Sequence, residues 1–331
     1  MKAYISAINY YLPEQVLTNG QLVKEFPEWS VEKIANKIGV NKRHIASSDE
    51  TSADLAIKAA EKLFVESGIN REIIDFVLFC TQSPDYVLPT SACIIQEKLG
   101  LSTSCGALDF NLGCSGYVYG LSLAKGLVLG GIARNVLLLT GETYTKFIHP
   151  KDKGNRTIFG DGGSATLVSQ TGFAEIGDFV LGTNGKGAEN LIVRTGGAKF
   201  PNKLNDEMFG DHGNPISSDH LYMNGSEIFN FTIDVVPHLI CDLLQKNHLT
   251  SENINSFIFH QANVFMLNFL RKKMKIPESK FPYYMSETGN TVSNTIPIVL
   301  YEENRKGLLK GYVVLAGFGV GYSWGGTVLK F

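Results

Sequence analysis

Three side chains have types and positions suited to acyl-transfer chemistry. Cys114 follows a strand pattern (ALDFN) and Gly113, and it stands where an amphipathic helix opens. A thiol at a strand–turn–helix junction meets unpaired backbone N–H groups and the positive end of a helix dipole. That position favours the thiolate and supplies donors for a developing oxyanion. His260 ends the apolar strand SFIFH and precedes the helical pattern QANVFMLNFLRKKM. Asn290, preceded by Gly289, opens another predicted helix. A nucleophile, an imidazole and an amide donor together suit acyl transfer through a covalent thioester. Taken singly, each has a plainer reading: a buried Cys is usually a small apolar filler, and a lone His a hydrogen-bonded structural residue.

The elements that must position them alternate between helix and strand. Helical spacing runs over 53–67, 90–99 and 115–129, and buried-strand patterns over 74–80, 107–111 and 135–140. Continuous Val/Leu/Ile/Phe runs separated by helices indicate an α/β protein whose sheet is covered on both faces. The order also repeats. Residues 66–82 match 246–262 without gaps at an offset of 180; 112–131 lie against 288–307 at 176; 135–141 answer 312–318, and 160–168 answer 321–329. We read an internal duplication, with halves 1–170 and 171–331 sharing one topology and packing into one body. On that frame Cys114 matches Asn290 and Cys80 matches His260, so a pseudo-twofold axis would gather all three polar side chains. Strand ends at the carboxyl edge of such a sheet are ligand sites. The stretch 182–220, rich in Gly, Asn, Asp and Lys, reads as an insertion of irregular loops.

Composition narrows the classes. Of 331 residues, 44% are apolar and 19% charged, enough for a large core and against disorder. Thirty basic and 32 acidic side chains leave a formal charge of −2, without the footprint of a nucleic-acid binder. The N-terminal residues lack the pattern of a signal peptide, and no apolar run approaches the roughly 20 residues of a membrane helix. Five cysteines, odd in number and without a C-x-x-C pair, argue against a disulfide framework or a structural zinc and for a cytoplasmic location. The glycine run GFGVGYSWGG (317–326) fits neither nucleotide-loop spacing and reads better as a backbone turn whose N–H groups face a bound carbonyl. GDGG at 160–163 reads as a tight turn entering the strand SATLV.

RHIA (43–46), LGCSG (112–116), IFGDGG (158–163), HQAN (260–263), GNT (289–291) and the terminal glycine run occur in an order that resembles the 3-oxoacyl-acyl-carrier-protein synthase III family. The resemblance extends nearly end to end. It implies a five-layered αβαβα thiolase-like fold, and a Cys114 that takes an acyl group from a coenzyme A ester. His260 and Asn290 would then hold the thioester carbonyl of a malonyl-acyl carrier protein while it loses carbon dioxide. Two neutral donors aimed at one oxygen suit an enolate. Backbone N–H groups of Cys114 and Val320 would form the oxyanion site; Val320 stands where Gly is common, and its branched side chain requires a negative φ.

The same resemblance assigns substrate-binding roles to Trp29 (adenine stacking), Lys153 (where Arg is common), Asn263 and Leu88, the last at the partner subunit's acyl pocket. Phe265 and Asn230 stand where basic docking residues are usual, which leaves Arg271, Lys272 and Lys273 as a smaller carrier-docking patch, a pattern that also fits a solvated helix flank. A homodimer is implied, and neither metal nor redox cofactor. Two other functions compete: a transferase or hydrolase using Cys114 without forming a carbon–carbon bond, and a non-catalytic subunit that only binds acyl carrier protein. Retention of Cys114, His260 and Asn290 together weighs against the latter.

Overall fold

The computed structural model describes residues 2–210 and 213–331. Nine strands form one sheet: β1 (Tyr4–Tyr11), β2 (Phe76–Cys80), β3 (Gly106–Phe110), β4 (Asn135–Glu142), β5 (Gly162–Ser169), β6 (Ala174–Thr183), β7 (Ile254–Phe259), β8 (Tyr312–Gly319) and β9 (Ser323–Lys330). Their spatial order is β3-β2-β4-β5-β1-β6-β9-β8-β7. On one side of the β1–β6 junction the pairings outward are antiparallel β1–β5, antiparallel β5–β4 and parallel β4–β2. On the other they are antiparallel β6–β9, antiparallel β9–β8 and parallel β8–β7. The junction itself is only two residue pairs long, Tyr4 with Glu175 and Ile5 with Ala174.

Six helices cover the sheet: α1 (Ser52–Ser67), α2 (Ser91–Lys98), α3 (Gly116–Leu129), α4 (Gly225–Lys246), α5 (Val264–Lys273) and α6 (Thr295–Arg305). Helices α3 and α6 each touch strands from both sides of the junction, so they form a central layer. α1 and α2 pack on the outer face of β1–β5, and α4 on that of β6, β8 and β9, with α5 against α4. The layers run helix, sheet, helix, sheet, helix.

Local sequence explains the seating. Thr51 and Asp54 form a capping box at the start of α1, and Gly68 (φ +67°) ends it in the left-handed region. The buried Ala53, Ala56, Ala59 and Ala60 let α1 lie close on the sheet. A Cβ at Gly163 would come 2.4 Å from the Leu55 backbone. The polar strand ends then face the region where α3 and α6 begin.

Three local expectations are corrected. Asn290 does not open a helix: α6 begins at Thr295, after a 3-10 turn at Val292–Asn294, and Asn290 forms an isolated parallel bridge with Phe159. The glycine run is mostly strand, because Ser323–Lys330 pairs along β8 and leaves only residues 320–322 as the turn. The segment 261–274 becomes the shorter α5, capped by the Asn263 side chain accepting from Met266 N–H (2.9 Å). Residues 182–220 carry only short 3-10 and two-residue strand pieces where described.

Candidate active site

Cys114 sits in the tight connection between β3 and α3, two residues ahead of the helix. Next to it, the Ser115 hydroxyl lies 2.5 Å from that of Ser323 on β9, tying this connection to the second sheet half. Glycines on β8 make the approach possible. A Cβ at Gly317 would fall 2.6 Å from the Cys114 carbonyl, and one at Gly319 would fall 2.9 Å from its sulfur. The backbone N–H groups of Cys114 and Val320 both reach the thiol. Val320 is not among the residues with positive φ.

The thiol is not a resting thiolate. Burial, reinforced by the nearby Glu142 carboxyl, pushes its pKa up to about 12, against the pull of the two N–H groups. Desolvation of a fully enclosed sulfur outweighs the helix terminus here.

His260 follows β7 directly; its backbone N–H donates to Ala316 of β8 at 2.8 Å. The ring is 2% exposed, edge-on to Phe318, and burial drives its pKa down to about 3, so the imidazole is neutral at ordinary pH. Its Nδ1 lies 2.7 Å from the Thr295 hydroxyl. Asn290 is held just as closely. Its Oδ1 accepts from Val292 N–H at 2.9 Å, which turns Nδ2 the other way, toward the Ala262 carbonyl at 3.4 Å. Val292 has φ +56°, a rare conformation for a β-branched residue.

Cys114, His260, Asn290 and Asn263 line one cavity of about 70 Å³, walled by Ile158, Phe159, Leu191, Met223, Ile228, Met266 and Phe318. A wider cleft of about 700 Å³ adjoins it through the shared Ile158 and Asn263, and continues past Phe265, Phe269 and Lys272. Phe229 packs against both phenylalanines, tilted on Phe265 and edge-on to Phe269, at 5.5 and 5.3 Å between ring centres.

The remaining anticipated residues are dispersed. Trp29 is half-buried with Lys33 Nζ 4.9 Å over its ring. Lys153 pairs with Glu28, and Arg156 with Glu25 at 2.5 Å. Leu88 is 79% exposed and lines neither cavity. Arg271 turns inward to the Ile276 carbonyl (3.3 Å) and Glu278 (3.5 Å), and Lys273 bonds the Ile233 carbonyl at 2.7 Å. Lys272 alone of the three borders the cleft.

Two polar groups escaped the sequence reading. Glu142 is fully buried, accepts from Gln82 N–H (3.1 Å), Ser83 (3.3 Å) and Ser293 (3.0 Å), and has its pKa raised by burial to about 8. An acid ending the apolar run NVLLLTG was a usable signal for it. Thr295 had none, being one hydroxyl within TIPIVL.

A fold with helices inside and outside two sheet halves, and a thiol at the central helix start, belongs to the thiolase-like class of acyltransferases. Comparison with known proteins places it further. A family model described as 3-oxoacyl-[acyl-carrier-protein] synthase III matches residues 108–185, and that enzyme's C-terminal model matches 244–331. A beta-ketoacyl-[acyl-carrier-protein] synthase III from Caldanaerobacter subterraneus subsp. tengcongensis is 34% identical over 326 residues, 97% of this chain and 95% of its own. A crystal structure of a 3-oxoacyl-(acyl-carrier-protein) synthase III superposes with a TM-score of 0.97 at 52% identity, covering both chains fully. The 3-oxoacyl-(acyl-carrier protein) synthase of Burkholderia xenovorans gives 0.90 at 37%, over 99% of this chain and 94% of that one. The chain belongs to the 3-oxoacyl-acyl-carrier-protein synthase III family. Among the described residues no helix is long and apolar enough to cross a membrane.

Proposed function

We propose that the chain condenses an acyl primer, delivered as a coenzyme A ester, with malonyl-acyl carrier protein to give a 3-oxoacyl thioester. The observation that carries this reading is the convergence of Cys114, His260 and Asn290 on one enclosed cavity with a cleft leading to it. The Cys114 thiol loses its proton as sulfur attacks the primer carbonyl. The oxyanion is met by the N–H groups of Cys114 and Val320, and the coenzyme leaves as a thiol. His260 and Asn290 then hold the malonyl thioester oxygen. Carbon dioxide departs, and the enolate carbon attacks the acyl-cysteine, releasing Cys114. A neutral imidazole serves here as a donor, which its low pKa supports.

In this reading the frame is two duplicated halves, 1–170 and 171–331. The enzyme works as a cytoplasmic homodimer, with Leu88 reaching the partner's acyl pocket. Trp29 and Lys153 receive the coenzyme, Asn263 lines the passage to Cys114, and Lys272 leads the docking of the carrier, with Arg271 and Lys273 behind it. Intact-mass spectrometry after exposure to a panel of acyl-CoAs tests the first half. One acyl increment is expected, absent in Cys114→Ala. Carbon dioxide release on adding malonyl-acyl carrier protein tests the second. Acyl transfer to an oxygen or nitrogen acceptor without that release would replace condensation with simple acyl transfer.

A further inference from the structure

Thr232 lies on α4, is 0% exposed, and lines the catalytic cavity. Its hydroxyl has no hydrogen-bond partner among the described residues. A helical threonine ordinarily turns its hydroxyl back to a carbonyl one turn earlier, and a buried hydroxyl left unpaired is costly. The side chains of Met223, Ile228, Met266 and Phe318, which line the same cavity, carry no oxygen or amide. A hydroxyl kept unpaired on the cavity that Cys114 also lines is suited to a substrate oxygen.

With the two thioester carbonyls taken by the backbone N–H groups and by His260 and Asn290, the oxygens left to it on the acyl groups are one on the primer chain and one on the malonyl carboxylate. A donor on the carboxylate would stabilise the ground state that decarboxylation must leave, and that contact would vanish in the transition state. A donor on the primer carries no such penalty, because the primer chain stays intact through both half-reactions.

We propose that Thr232 selects a short primer bearing an oxygen on its chain, a hydroxyacyl or oxoacyl group, over the plain alkyl primer of equal length. This rests on the condensing reading above. A site built to bond a substrate hydroxyl rejects the analogue lacking it, because its own polar group is then left unpaired.

The test compares 3-hydroxybutyryl-CoA with butyryl-CoA, following the rate of Cys114 acylation by intact mass. The wild type is expected to favour the hydroxy ester by about 10-fold or more. Thr232→Val should abolish or invert that ratio, and Thr232→Ser should restore it. Equal rates in the wild type, or an unchanged ratio in Thr232→Val, overturn the proposal. So does an altered malonyl KM in Thr232→Val with the primer ratio intact, which would place the hydroxyl on the extender instead. Should Thr232→Val fail to fold, the wild-type ratio decides. Absence of any Cys114 adduct would be a failure of priming from coenzyme A; the same pair presented on acyl carrier protein then reads the selection separately.

Discussion

The Nδ1 of His260 lies 2.7 Å from the Thr295 hydroxyl, whose oxygen lies 3.1 Å from the Val292 carbonyl; in the tautomer that donates from Nε2 to substrate, the hydroxyl gives its one proton to Nδ1. Val292 in turn donates its N–H to Asn290. One left-handed residue therefore orients Asn290 directly, and the Thr295 hydroxyl beside it orients His260. We expect Thr295→Val to leave the KM for the acyl donor near normal while lowering kcat for condensation by about 10- to 100-fold, since the ring loses its orienting partner. Thr295→Ser should recover most of it. A 15N spectrum of the His260 ring should change its tautomer signature in Thr295→Val and not in Thr295→Ser. An unchanged kcat and spectrum would reduce Thr295 to packing.

Much of this frame was legible because buried strands and amphipathic helices leave periodic traces. Cys114 and His260 sit at element boundaries that hydrophobic patterning locates well. Asn290 was found for a reason that needed adjusting, since its position depends on Val292 adopting a conformation that β-branched residues disfavour. No propensity argument anticipates that. The charge state of Cys114 was also read with the wrong sign. A helix start is visible in sequence, whereas burial beside Glu142 is a tertiary fact. Likewise, Arg271–Lys273 reads as a basic patch, yet Arg271 faces inward because Ile276 and Glu278 fold back over the end of α5.

Glu142 makes stability depend on pH. Its folded pKa of about 8 lies above the ordinary carboxylate value near 4.3, so the native state binds more protons between these limits. Its contribution is fully present below the unfolded value and is lost as pH rises through the folded one. Asp161, raised by burial to about 6, adds in the same direction. Denaturant unfolding should show stability falling between about pH 6.5 and 8, by on the order of 2 kcal/mol, whereas below that window His260, held near 3 against an unfolded value of about 6.5, pulls the other way. In Glu142→Gln that fall should largely disappear. A wild-type curve that rises with pH over this window would contradict the assignment.

The cations on the approach to Trp29 are already partnered. Lys153 pairs with Glu28, and Arg156 with Glu25, so in the proposed coenzyme site at Trp29 and Lys153 less positive charge is offered to the coenzyme phosphates. Both carboxylates are on the surface, where such pairs are weak and screened. Glu28→Gln should therefore lower the KM for acyl-CoA only about two- to threefold at low salt, with the gain shrinking as ionic strength rises. Pantetheine esters lacking the nucleotide should show no change. Equal gains for both ester types would show that Glu28 acts elsewhere than on the phosphates.

Gly319 tests how tightly β8 presses on the nucleophile. A methyl there would stand 2.8 Å from the Cys114 Cβ and 2.9 Å from its sulfur, closer than real Cβ contacts allow. Gly319 pairs with Ser323 across the β8–β9 hairpin, which limits any retreat of the strand. The strain must then fall on the Cys114 side chain, moving the sulfur relative to the Val320 N–H. Displacements approaching 1 Å cost about 100-fold in rate when geometry is the main source of catalysis. Gly319→Ala should thus still fold, destabilised by about 1–3 kcal/mol, while Cys114 acylation by any acyl-CoA slows by about that factor. Wild-type acylation in the variant would mean that the thiol site yields more readily than the glycine contact indicates.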